Sequence, residues 1–180
     1  LGWATATQLT TTAAYTLPRI EDDQNALYLF RNNSFGANEY FLAENRQGYG
    51  FDAGLPGPNR GMLIWHIDES KLDNGNNDDS THYLVDLEEA SGVQDLQNNT
   101  NKGNDADYYR SRNNTRFGDS ETPNSISYPP GSYNLRLLLK DISATANTMS
   151  FNLEEIDLTN PTNIAAVYDG ATTGVDIAKT

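Results

Sequence analysis

An all-β fold, an antiparallel sandwich or jelly-roll-like arrangement, is what this sequence predicts, and three observations predict it. Seven apolar segments run for strand length. None of them holds an apolar 3.6-residue period for long, so one short helix at most is expected, at 91–98. Between the segments lie long loops rich in Asn, Asp, Gly and Pro, which punctuate strands rather than extend helices.

The expected strands are 14–20, 26–31, 39–44, 61–67, 82–90, 134–142 and 148–156. In the last, Met149, Phe151 and Leu153 alternate with Ser150, Asn152 and Glu154, the signature of a sheet with one dry and one wet face. The runs EYFLAENRQ and GMLIWHIDES are the most informative, because they set Glu44, Arg46, His66 and Asp68 in or beside strongly apolar sequence. A buried charge is costly unless answered, so these four must be paired, solvated or bound to something. The loops 48–61 and 68–81 are Gly/Pro-rich and polar, respectively, and the longest, 91–132, needs a tie other than a core. After Glu155 the character changes. The chain divides into a β-rich module, 1–155, and a short appendage, 156–180, that reads as a linker with strand-like pieces, either the start of a further module or a strand that adds to a sheet edge.

At 180 residues the chain is long enough for one sizeable core. Its 25 acidic and 12 basic residues give a formal charge of -13, which repels nucleic acid and anionic membrane surfaces and makes divalent cations natural partners. No run approaches the ~20 apolar residues that cross a bilayer, so neither nucleic acid nor membrane is expected as a partner. The opening LGWATATQ, without Met, reads as a processed product or an excised fragment. With no cysteine there is neither a disulfide nor a thiolate ligand for zinc. Three N-x-S/T sequons, at Asn32, Asn98 and Asn113, are candidate glycosylation sites.

The chemistry-bearing residues point away from catalysis. His66 and His82 lack the HExxH spacing of a catalytic zinc helix, and no G-x-S-x-G supports a serine nucleophile. Hard oxygens are plentiful instead. Glu88, Asp95, Asn99, Asn101, Asp105 and Asp107 fall in one polar segment with turn-forming Gly92 and Gly103. Calcium takes six to eight oxygens and can organise such a loop, whereas carboxylates crowded without a cation repel one another. Asp73, Asn76, Asp78 and Asp79 form a possible second metal loop; the alternative for both is a solvated polar loop. Tyr108, Tyr109, Tyr128 and Tyr133, with Arg110 and Arg112, would suit a carbohydrate- or peptide-binding groove if they were not core residues.

The order of motifs carries a resemblance. LGW, YTLPRI, EYFLAENRQ, GFDAGLPG, GMLIWHID, VDLEEASG, NKGNDAD, FGDSETPNS and ISATANTMSFNL follow one another as in the C-terminal, β-rich half of the immune inhibitor A-like secreted zinc metallopeptidases. The similarity covers about residues 1–153, with ENRQ, LIWHID and LEEASG its most specific pieces. In that family the HExxH helix lies upstream, so no zinc ligand or catalytic Glu can be assigned to a residue of this chain. The resemblance implies a secreted, non-catalytic β module with calcium as its cofactor, no zinc site of its own, and an upstream catalytic module as partner. The alternative partner is further copies of the chain, strung into extracellular filaments by strand addition through the tail.

Overall fold

The computed structural model describes residues 4–32, 35, 38–55, 57, 60–71, 82–129 and 133–156. Two sheets face each other. The first has five strands in the order β1-β3-β4-β5-β6, with β1 Thr7–Gln8, β3 Leu27–Phe30, β4 Glu39–Arg46, β5 Gly61–Asp68 and β6 Val85–Leu87. The second has the order β2-β9-β8-β7, with β2 Ala13–Pro18, β9 Thr148–Glu155, β8 Leu137–Lys140 and β7 Phe117–Gly118. All pairings are antiparallel except β1 with β3. The molecule is the all-β sandwich its sequence predicts.

Alternation along the strands decides what lies between the sheets. In β4 and β5, Phe41, Ala43, Met62 and Ile64 point into the core, where they meet Leu139, Met149, Phe151 and Leu153 of the second sheet. Phe151 joins the layers, stacking on Tyr15 of β2 at 5.8 Å and lying edge-on to Tyr28 and Phe30 of β3 at 6.0 and 6.3 Å. Asn45 makes a polar seam. Wholly buried, it donates through Nδ2 to the carbonyls of Leu17 at 3.1 Å and Ala146 at 3.0 Å, its Oδ1 accepts from Gln47 Nε2 at 2.7 Å, and its backbone carbonyl accepts from the Ile20 amide at 2.8 Å. A buried amide with every group answered fixes the register of two sheets that apolar packing alone would leave free to slide.

The long stretch after β6 is sewn back onto the first sheet. Met62 and Tyr109 exchange backbone hydrogen bonds of 3.1 and 2.8 Å. The contact is close: a Cβ on Gly61 would stand 2.7 Å from the Tyr109 carbonyl oxygen. Farther on, Asp119 accepts from Ser125 Oγ at 2.7 Å, the Leu135 amide at 2.9 Å and the Arg136 amide at 3.0 Å, closing the loop that brings Tyr128 to the sheet.

Three departures from the sequence expectation have physical causes. β1 and β7 are two-residue strands too short to show a period. The run 82–90 contracts to Val85–Leu87 because, after the Glu88 amide bonds to Ile64, the chain turns at Ala90, whose amide donates to the Asp107 carbonyl. At 91–98 there are turns instead of a helix; the Glu89 carboxylate takes the amides of Asp95 and Leu96 at 3.0 and 2.8 Å and holds the backbone in a compact loop. The possible second metal loop, Asp73, Asn76, Asp78 and Asp79, lies outside the described residues, as does the appendage from 157 onward.

Candidate functional site

The inward row of the first sheet changes chemistry along its length. Phe30, Phe41, His66 and Asp86 are consecutive cross-strand partners from β3 to β6, so an apolar core gives way to ionisable groups toward the β6 edge. His66 is 2% exposed. Its ring is clasped between Phe41 and Tyr128, each with its centroid 4.2 Å away, the latter nearly parallel at 3°. Tyr128 in turn carries His82 on its other face at 4.4 Å. Both ring nitrogens of His66 meet carboxylates, Nε2 at 2.8 Å from Glu39 and Nδ1 at 3.2 Å from Glu88. Burial alone would push the imidazole down; hydrogen bonds to Glu39 and Glu88 outweigh it and hold the group above the ordinary histidine value. Glu39 also accepts the Tyr128 amide at 2.7 Å, so one carboxylate fixes both rings.

Beside this column opens a cleft of about 310 Å³. Asp86 lines it, 7% exposed, and burial pushes its carboxyl up to about 6, with Glu88 adding repulsion and the Gln97 amide and His66 working the other way. Gln97 donates through Nε2 to Asp86 Oδ1 at 2.5 Å and to the Leu87 carbonyl at 3.0 Å. Those two acceptors fix the amide orientation and leave Oε1 buried without a hydrogen-bond partner among the described residues. Pro123 and Ile126 supply apolar wall. Gly92 closes one side with φ +69°, where a Cβ would stand 2.6 Å from Thr122 Cγ2.

A second group of carboxylates lies in the loop that follows. Glu89, Asp95 and Asp107 feel one another's charge; burial first, then this repulsion, raises Glu89 and Asp107 against the hydrogen bonds that lower them. Asp95 accepts Asn101 Nδ2 at 2.9 Å. Asp107 is 3% exposed, and its Oδ2 accepts the Asn104 amide at 2.6 Å, while Oδ1 is buried with no hydrogen-bond partner among the described residues. Among the described residues, no three His, Asp or Glu side chains stand where they could hold a metal ion together.

The six expected ligands are thus distributed. Asp95, Asn101 and Asp107 share one loop with Glu89. Glu88 instead turns to His66, Asp105 pairs with Arg110 at 3.6 Å, and Asn99 accepts Lys102 Nζ at 2.8 Å. The four charges flagged in the apolar runs are all answered. Arg46 forks onto Glu44 with two contacts of 2.9 Å, His66 has its two carboxylates, and Asp68 binds His82 Nε2 at 2.6 Å. Of the sequons, Asn98 and Asn113 are exposed, while half-buried Asn32 donates to the Leu135 carbonyl at 2.9 Å. Of the expected groove aromatics, Tyr109 is wholly buried, Tyr108 is 5% exposed, Tyr128 sits between two histidines and Tyr133 is exposed.

No protein-family model matches the chain, and none of the curated proteins matches it. The residues that sequence reasoning left out of any candidate site are Glu39, Asp86 and Gln97. Asp86 carried a readable signal, a charge inside the apolar run YLVDL. Nothing in the sequence linked Glu39 to Tyr128, a candidate groove aromatic, since the two meet across 89 residues.

Proposed function

We propose that this chain is a secreted, non-catalytic, calcium-stabilised β module of a metallopeptidase-like protein. The observation that carries it is the bare, buried Oδ1 of Asp107 beside Glu89 and Asp95, in a stretch that has one 3-10 turn and otherwise only polar ties. An unanswered buried carboxylate oxygen is destabilising, and a hard divalent cation answers it while cancelling the repulsion around it. Glu89, Asp95 and Asp107 would draw together to hold the ion, and the Asn101 amide oxygen, which accepts the Gly103 amide, could join them by exchanging that bond. Calcium supplies charge neutralisation and rigidity here, and no reaction.

The module reading draws support from the outer face of the first sheet. Leu29, Leu42, Trp65 and Leu87 are cross-strand neighbours on the side away from the core, all partly exposed, and they give that face the apolar character on which an upstream catalytic module would rest. The Asn45 and Gln47 amides of the ENRQ motif are spent on holding the two sheets together, a structural duty. The test is a pair of measurements on the purified chain. Thermal melting with calcium and with EDTA is expected to differ by several degrees, and casein incubated with zinc is expected to stay intact. Identical melting curves would end the calcium reading, and chelator-sensitive hydrolysis would end the non-catalytic one.

A further inference from the structure

We propose that the cleft beside His66 is a binding site for a basic side chain of a peptide segment, a primary ammonium on an aliphatic stem as in lysine. It borders the calcium loop, which lends it Gln97 and one wall at Glu89, but its acceptors, Asp86 and Gln97, are not among the residues that would hold the ion.

Three observations select this ligand. The first is charge. Glu39, Glu88 and Asp86 surround one imidazole, so even with His66 protonated the cluster keeps an excess of negative charge. Asp86, more than nine-tenths buried, has no ion-pair partner among the described residues. The second is hydrogen-bond polarity. Gln97, which lines the cleft, has in Oε1 a buried acceptor without a hydrogen-bond partner among the described residues, and Asp86 next to it is another acceptor. A ligand that brings several N–H donors and a positive charge satisfies both at once, whereas an anion is repelled and a neutral hydroxyl leaves the charge unanswered. The third is shape. About 310 Å³ is far more than a bare ion fills and lies at the small end of organic ligand sites. Pro123 and Ile126 offer apolar surface to a methylene stem, while the acceptors stand ready for its head.

The experiment titrates the full chain, kept in calcium throughout, with N-acetyl-lysine methylamide, and follows methyl and side-chain amide resonances by NMR. Saturable shifts confined to Ile126 and the Gln97 amide are expected, with the uncharged norleucine analogue at least tenfold weaker. Asp86→Asn keeps the acceptor for Gln97 and removes the charge, and it is expected to weaken lysine binding at least tenfold, about 1.4 kcal/mol. Gln97→Leu serves as a second variant if the first does not fold, and Glu154→Gln, on the second sheet, is expected to change nothing. Equal binding of norleucine, unchanged affinity in both cleft variants, or no saturable shift would overturn the proposal. So would a further rise in calcium that displaced the ligand and shifted the same resonances, since the cleft would then be a metal site.

Discussion

With its carboxyl group buried beside Glu88 and answered by the Gln97 amide and more weakly by His66, Asp86 is ionised at a cost that pH can reveal. Its folded-state value of about 6 exceeds the ordinary 3.8, so the native chain binds that proton more tightly than the unfolded chain. The favourable contribution is fully present below the unfolded value and is lost as pH rises through about 6. Asp86→Asn removes the charge and keeps the Gln97 hydrogen bond. It is expected to stabilise the chain above neutrality by about 1–2 kcal/mol, with the gain vanishing in acid, as read from melting curves across pH. A variant less stable than the parent at alkaline pH would show that the charge is compensated in the apo protein. His66 has the same sign for a different reason. Its folded value lies above 6.5 because of Glu39 and Glu88, so its contribution is present below 6.5 and disappears as pH rises through the folded value. Ring resonances of His66 are expected to titrate above 6.5; a midpoint below it would mean that burial, not the paired carboxylates, dominates.

At the scale of strands, β9 shows what packing asks of each position. Phe151 spans the two sheets through Tyr15, Tyr28 and Phe30, while its neighbour Asn152 reaches only Asp141 at the surface. Phe151→Ala is expected to cost about 3–5 kcal/mol and Asn152→Ala under about 1, compared by urea midpoints with the slope unchanged. Equal losses would place the inter-sheet contact elsewhere. That contrast was legible in the sequence, because a period of two over eight residues assigns faces directly. So was the need to answer Glu44, Arg46, His66 and Asp68, since the energy of a buried charge does not depend on knowing the fold. The identity of the partners was legible only where they are near in sequence. Arg46 lies two residues from Glu44, but Glu39 and His66 are 27 apart and meet only because β4 and β5 pair. The loop after Ala90 misled in another way: Glu88 and Glu89 are adjacent, and consecutive residues here face different neighbours, one turned to His66 and one to the turn at 95–96.

Across the whole molecule, a formal charge of -13 opposes compaction, and two remedies with different signatures can relieve it. Simple salt screens every exposed carboxylate to a similar degree, raising stability gradually with ionic strength. A bound cation acts at one place and saturates. Stability then grows as the logarithm of one plus the ratio of free ion to dissociation constant, about 2.7 kcal/mol at a hundredfold excess. The calcium reading therefore predicts that a low concentration of calcium chloride raises the melting temperature more than sodium chloride at equal ionic strength, and more than magnesium chloride. Magnesium dehydrates reluctantly and fits a flexible set of carboxylates and carbonyls less well. Asp107→Ala is expected to abolish the calcium increment and to leave the sodium chloride slope intact, because one charge among 25 acidic residues scarcely alters screening. If calcium, magnesium and ionic-strength-matched sodium chloride stabilise alike in the parent, the loop from 88 to 107 is held by its own hydrogen bonds. The charge of the chain would then be a matter of solubility alone.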